Sequence, residues 1–188
     1  MPHEEYKDLK CLFDLAEAKL KQVEHLVDKL DIPSINELRY AGHHCVNALM
    51  ANDSAATKAE ITEAESHCKR AIYDAMEIGI LYLLSKIRMF KEDYRLVPVA
   101  TVIPSYVEYL VQIRKIQACV AAVPRRNKEE NFGLMQEHFT ELTVISDVLE
   151  VARPELNKTL SLWRTGVYIG LATLILTGLS ILVTYLLS

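Results

Sequence analysis

The sequence predicts an all-α protein: a cytoplasmic bundle of about five helices with one C-terminal transmembrane helix continuous with the last of them. Three observations lead there. Apolar residues recur at three- and four-residue intervals through most of residues 1–153, with Lys, Glu and Asp on the opposite faces. Only residues 95–104 break that period, where two prolines bracket a β-branched run. Residues 167–187 carry neither charge nor proline, over roughly the 20 residues that cross a hydrocarbon core. The division is therefore a helical domain at 1–153 and a juxtamembrane and transmembrane helix at 154–188.

The first helix is expected over residues 3–31, where Leu9, Leu12, Phe13, Ala16, Leu20, Val23, Val27 and Leu30 form one face. Pro33 ends it, and Ser34 with Glu37 makes a Ser-x-x-Glu capping box that starts a second helix running to about residue 51. A longer third helix, 55–91, carries Ile61, Ala64, Cys68, Ala71, Ile72, Ala75 and Ile78 on one side. It then turns apolar all round at 78–84, which predicts deep burial there. Residues 95–104 read as a buried extended connection, with a short strand as the alternative. A fourth helix runs from Ser105 to Val123, an exposed charged loop covers 124–131, and a fifth helix covers 132–152. Pro154 suits the first turn of a sixth helix that runs unbroken into the span.

Composition excludes several classes. With 21 Lys and Arg against 25 Asp and Glu, the net charge of −4 gives no general attraction to nucleic acid or anionic lipid. Glycine is sparse and nowhere forms a phosphate-cradling loop, so nucleotide hydrolysis of the common kind has no support. Cys11, Cys45, Cys68 and Cys119 are scattered, as expected of free thiols in a reducing compartment. The first 30 residues open on His3, Glu4 and Glu5 and show no continuous apolar core, so no secretory signal is expected.

The span itself is patterned. Gly166, Gly170, Thr173, Thr177, Ser180, Thr184 and Ser188 follow one another by three or four residues and share one helix face, while Leu, Ile and Val fill the others. Small residues let helices approach closely, and hydroxyls bond across them for roughly 0.6–2 kcal/mol each. The face reads as an oligomer seam, or as a pore lining if several copies turn it inward. Alternatively the hydroxyls bond to their own helix and the span is a simple anchor. Arg153, Lys158 and Arg164 precede the span and nothing charged follows, so the positive-inside rule places the N-terminal domain in the cytoplasm, with Trp163 and Tyr168 at the interface.

Two constellations carry candidate chemistry. A weak internal echo, Ala-x-x-His-Cys-x-x-Ala at 41–48 and 64–71, sets His44, Cys45, His67 and Cys68 on adjacent helices. Neighbouring His and Cys on a helix point about 100° apart, so a four-ligand zinc site is not expected and the cysteines read as core residues. Arg39 and His44 form an Arg-x4-His pattern that resembles the nuclease motif of the HEPN helical-bundle family. That resemblance implies a metal-independent ribonuclease in which Arg39 stabilises phosphate charge and His44 acts as acid or base across a dimer. Tyr40 departs from the polar residue usual after the Arg, and the motif sits in an early helix where a late one is common. Arg39 as a solvated cation and His44 as a satisfied histidine is the alternative. Glu60, Glu63 and Glu65, and Glu129 with Glu130, read as solvated helix faces, while Arg125, Arg126 and Lys128 make a small basic loop.

The reading that follows is a tail-anchored, single-pass, homo-oligomeric protein of a membrane, the bacterial inner membrane first, that acts on the bilayer as a pore-forming or depolarising effector in phage defence. A membrane-tethered HEPN-like ribonuclease acting on RNA, or a non-enzymatic adaptor holding a cytoplasmic protein partner, are the alternatives. No cofactor and no metal are expected.

Overall fold

The computed structural model describes residues 2–124 and 127–187. Its five α-helices are α1 (Pro2–Val27), α2 (Ile32–Met50), α3 (Ser54–Asp93), α4 (Tyr106–Ala122) and α5 (Lys128–Leu187), with a 3-10 turn at Val99–Thr101 and no strand among the described residues. Arg125, Arg126 and Ser188 lie outside them.

Helix α3 is the axis of the bundle, and α1, α2 and α5 all pack on it. Residues 71–76 are buried without interruption, as a helix surrounded by three others must be. This section lies nearly two turns before the expected one at 78–84, where Leu81 is instead 57% exposed. Ala71 and Ala75 supply the reason: side chains this short let the neighbouring helices close in. Gly79 does the same for α5 and α1, since a Cβ there would lie 2.5 Å from the ring edge of Phe139 and 3.1 Å from Val23.

The junctions differ from expectation in ways the chain explains. Helix α1 stops at Val27, and Asp28 takes φ 55°, the left-handed turn that closes a helix. Asp31, not Ser34, caps α2. Its carboxylate accepts from the Ser34 backbone N–H at 3.3 Å and from the Ser34 hydroxyl, so Ser34 is buried inside the first turn and Pro33 opens α2 instead of ending α1. Asp53 caps α3, accepting from the Ala56 N–H at 2.8 Å. Residues 95–104 are buried at Val97, Val99 and Ile103 as expected, but they coil. Among the described residues no strand lies beside them, so an extended backbone would leave its polar groups unpaired. Local bonds such as Thr101 N–H to Pro98 O at 2.9 Å satisfy them.

The fifth and sixth helices expected from the sequence are one. Helix α5 begins at Lys128, where the charged loop was expected to continue, and passes Pro154 without a break. The Lys128 ammonium pairs with Asp74, which burial pushes above the ordinary carboxylate range and Lys128 draws back. Proline inside a helix removes a hydrogen bond and costs about 3 kcal/mol. Packing on both sides of Pro154 offsets that cost. Leu149 and Leu156 are fully buried. The Arg153 guanidinium donates to Asp93 at 2.8 Å and to Glu150 at 2.9 Å and lies over the rings of Phe90 and Tyr94, and Tyr94 donates to Asn157 Oδ1 at 2.8 Å. Helix α4 is peripheral, burying only Ile113 and Ile116.

Gly79→Ala is expected to lower stability by about 1–2 kcal/mol through overpacking against Phe139, although alanine is the better helix former. Gly133→Ala, where a new Cβ meets nothing within 4 Å, should instead stabilise by up to about 1 kcal/mol. Thermal melts of the two variants read the difference in sign.

Candidate functional site

The echo between α2 and α3 becomes a local two-fold arrangement once the helices pack antiparallel. Ala41, Ala48, Ala64 and Ala71 are all buried between them. At the centre the imidazoles of His44 and His67 stack, 5.1 Å between centroids and 21° between planes. Each histidine crosses to a carboxylate on the opposite helix: His44 Nδ1 lies 2.7 Å from Glu60 and His67 Nδ1 lies 2.7 Å from Glu37. Asn47 donates to Glu60 at 3.2 Å, and its counterpart Arg70 places Nε 3.4 Å from Glu37 and Nη1 3.1 Å from Glu129.

The repeat is therefore longer than the alanine, histidine and cysteine echo. It reads Glu-x3-Ala-x2-His-Cys-x2-Ala from Glu37 and again from Glu60, 23 residues later. Glu37 is not a capping-box partner, and Glu60, partly exposed, is paired across to α2. Comparing the two copies upstream of the alanines is the signal that finds them. Donation from His44 and then Asn47 holds the Glu60 carboxyl below its ordinary value of 4.5, so it is an acceptor and the Nδ1 hydrogen belongs to His44.

The cysteines take no part in this polar cluster. Cys68 is wholly buried, and burial pushes its thiol up to about 12. Cys45 packs half-buried against the core with its thiol also raised by burial. At neutral pH neither is a thiolate, the form that binds metals.

Arg39 and His44 take separate roles. Five residues apart, they stand about 140° from each other around α2. Arg39 is exposed with its guanidinium 5.1 Å over the Tyr40 ring, while His44 turns inward to Glu60. Tyr40, the departure from the HEPN pattern, also packs its ring against His67, tilted by 35° at 5.3 Å between centroids.

The C-terminal half of α5 is the one described helix long and apolar enough to cross a membrane. From Ser161 onward every residue whose side chain is described is exposed. Thr173, Thr177, Ser180 and Thr184 each donate to a carbonyl of their own helix at 2.8–2.9 Å. Their hydrogens are thus satisfied within one chain, and their oxygens remain able to accept. Nothing approaches Gly166 or Gly170, which leaves a shallow groove at that end of the stripe. Just before it, Lys158 pairs with Glu155 at 3.0 Å and Arg153 is held in the bundle.

Glu60 gives a pH dependence with a definite sign. A carboxyl whose folded-state pKa is depressed stabilises the fold above its unfolded value and loses that contribution as pH falls through the folded one. The melting difference between the native chain and Glu60→Gln should be full near neutral pH and shrink below pH 4.5. A difference that persists in acid would assign the effect to packing. Comparison with protein-family models, curated proteins and solved structures finds no match to this chain.

Proposed function

We propose that this protein is a single-span membrane effector: copies associate through the Gly166, Gly170, Thr173, Thr177, Ser180 and Thr184 face, and the assembly alters the permeability of the bilayer. The unbroken course of α5 carries the reading. Its first half is part of the packed core through Leu142, Ile145, Leu149 and Leu156, and its second half is an exposed apolar helix with one small and hydroxyl-bearing face. No flexible linker intervenes, so association of the spans and arrangement of the bundles are one event. A passive tether has no need of that stiffness.

The positive residues ahead of the span place the bundle on the cytoplasmic side in this reading, and an inner membrane guarded against phage is the setting proposed for it. The ribonuclease alternative draws less support from the geometry, because Arg39 and His44 face different directions and His44 is spent on Glu60. An adaptor role would use the same span as an anchor only.

Replacing Thr173, Thr177 and Ser180 together by Leu keeps the span apolar while filling the seam. At roughly 0.6 kcal/mol or more per hydroxyl, the loss approaches about 2 kcal/mol, more than tenfold in association. The native chain is expected to be oligomeric in mild detergent and to release ions from liposomes, and the triple variant to be monomeric and silent. Arg39→Ala with His44→Ala should retain both properties. A native chain that stays monomeric at bilayer-like densities overturns the proposal, and RNA cleavage lost in the Arg39 and His44 variant would replace it with the nuclease.

A further inference from the structure

The polar cluster between α2 and α3 has the chemistry of a metal centre. One ring nitrogen from each of His44 and His67 and a carboxylate oxygen of Glu63 lie within 4.8 Å of one another. We propose that these three residues bind one divalent transition-metal ion of the zinc type, joining α2 to α3 across the local two-fold.

Each part of the cluster fits that role. The Nδ1 position of each imidazole is already taken by a carboxylate, Glu60 for His44 and Glu37 for His67. An ionised carboxylate only accepts, so each Nδ1 carries the hydrogen and the lone pair is left on Nε2. Metal-binding histidines are oriented in this way, with the second nitrogen donating to a carboxylate that fixes the ring and raises its basicity. Asn47 in turn donates to Glu60, and Arg70 forms an ion pair with Glu37.

Glu63 is the third ligand and differs from its neighbours. It is exposed, one turn after Glu60 on α3. Its place in the repeat corresponds to Tyr40 on α2, so one side of the two-fold supplies a carboxylate where the other supplies an aromatic ring against His67. The asymmetry gives the centre two nitrogens and one oxygen.

That donor set selects the ion. Magnesium and calcium demand oxygen ligands, whereas zinc takes imidazole and carboxylate together and leaves its fourth position to water when the protein supplies three. Ligands of a tetrahedral zinc ion lie about 3.3 Å apart, at bond lengths of about 2.0–2.1 Å. The three side chains would have to draw together from a spacing of up to 4.8 Å to reach that distance. The two cysteines beside the histidines are core residues, so the ligand set contains no sulfur.

The site lies within the bundle, and its test is independent of how the span behaves. The full chain in detergent, stripped with a chelator, is titrated with Zn2+ and with Mg2+ by calorimetry, and its melting is followed with and without each ion. One Zn2+ per chain and a raised melting temperature are expected, with no response to Mg2+. Glu63→Gln separates this site from a purely structural polar cluster, since it turns an exposed carboxylate into its uncharged amide and leaves the His44–Glu60 and His67–Glu37 bonds in place. It should weaken zinc binding tenfold or more without lowering the melting temperature of the metal-free chain. His67→Gln should abolish binding, and Glu37→Gln should weaken it by about 10–100-fold. Absence of stoichiometric zinc uptake overturns the proposal, as does uptake that is unchanged in Glu63→Gln or in His67→Gln.

Discussion

Helix α3 is buried on every side at residues 71–76, and α1, α2 and α5 hold their places because they share it. A helix enclosed by three others has no solvent face on which to put a charge or a long flexible side chain. The chain meets this with Ala71, Ala75 and Gly79 where neighbours come closest, and with Tyr73, Met76 and Ile80 where they leave room. Close packing makes such a section intolerant of volume change in either direction. The one acid inside it, Asp74, is kept by Lys128 at the start of α5, so the central helix and the last helix are joined by an ion pair as well as by apolar contact. Breaking one partner of a buried pair is costly even where the pair itself adds little.

The same packing explains why polar chemistry collects at the α2–α3 face. Where two helices meet through alanines, their backbones come near enough for side chains from each to cross to the other. His44 reaches Glu60 and His67 reaches Glu37 over that short gap. Paired this way the four groups satisfy one another at partial burial, where an unpartnered histidine or carboxylate would be expensive. His138, elsewhere on α5, shows the contrast: neither ring nitrogen has a hydrogen-bond partner, and Glu141 stands 3.9 Å away.

Much of the fold was legible because helical periodicity is a local signal. The positions of α1 to α4 follow from apolar residues spaced by three and four, and the apolar stretch of α5 from its length alone. The ends were less so. Asp31 and Ser34 are both good cap residues, and only Pro33, which favours the first turn of a helix, argues for Asp31. Pro154 reads as a helix start in isolation. Its place in mid-helix depends on Arg153 meeting Asp93, Phe90 and Tyr94, residues some 60 positions away that no local pattern reveals. The cluster was half visible. The histidines and cysteines stand out in the repeat, but Glu37 and Glu60 have ready local explanations, and only the 23-residue offset set against antiparallel packing shows that they belong together.

Pro154 lies at the foot of a long rod. From there to Leu187 the helix extends about 50 Å, and its near end is gripped by aromatic rings and an arginine instead of being tied by a loose thread. Such a rod is a lever: a tilt of about 10° at the grip swings the far tip by about 9 Å, close to the width of one helix. Small motions of α3 against α5 would thus be magnified at the far tip of the helix.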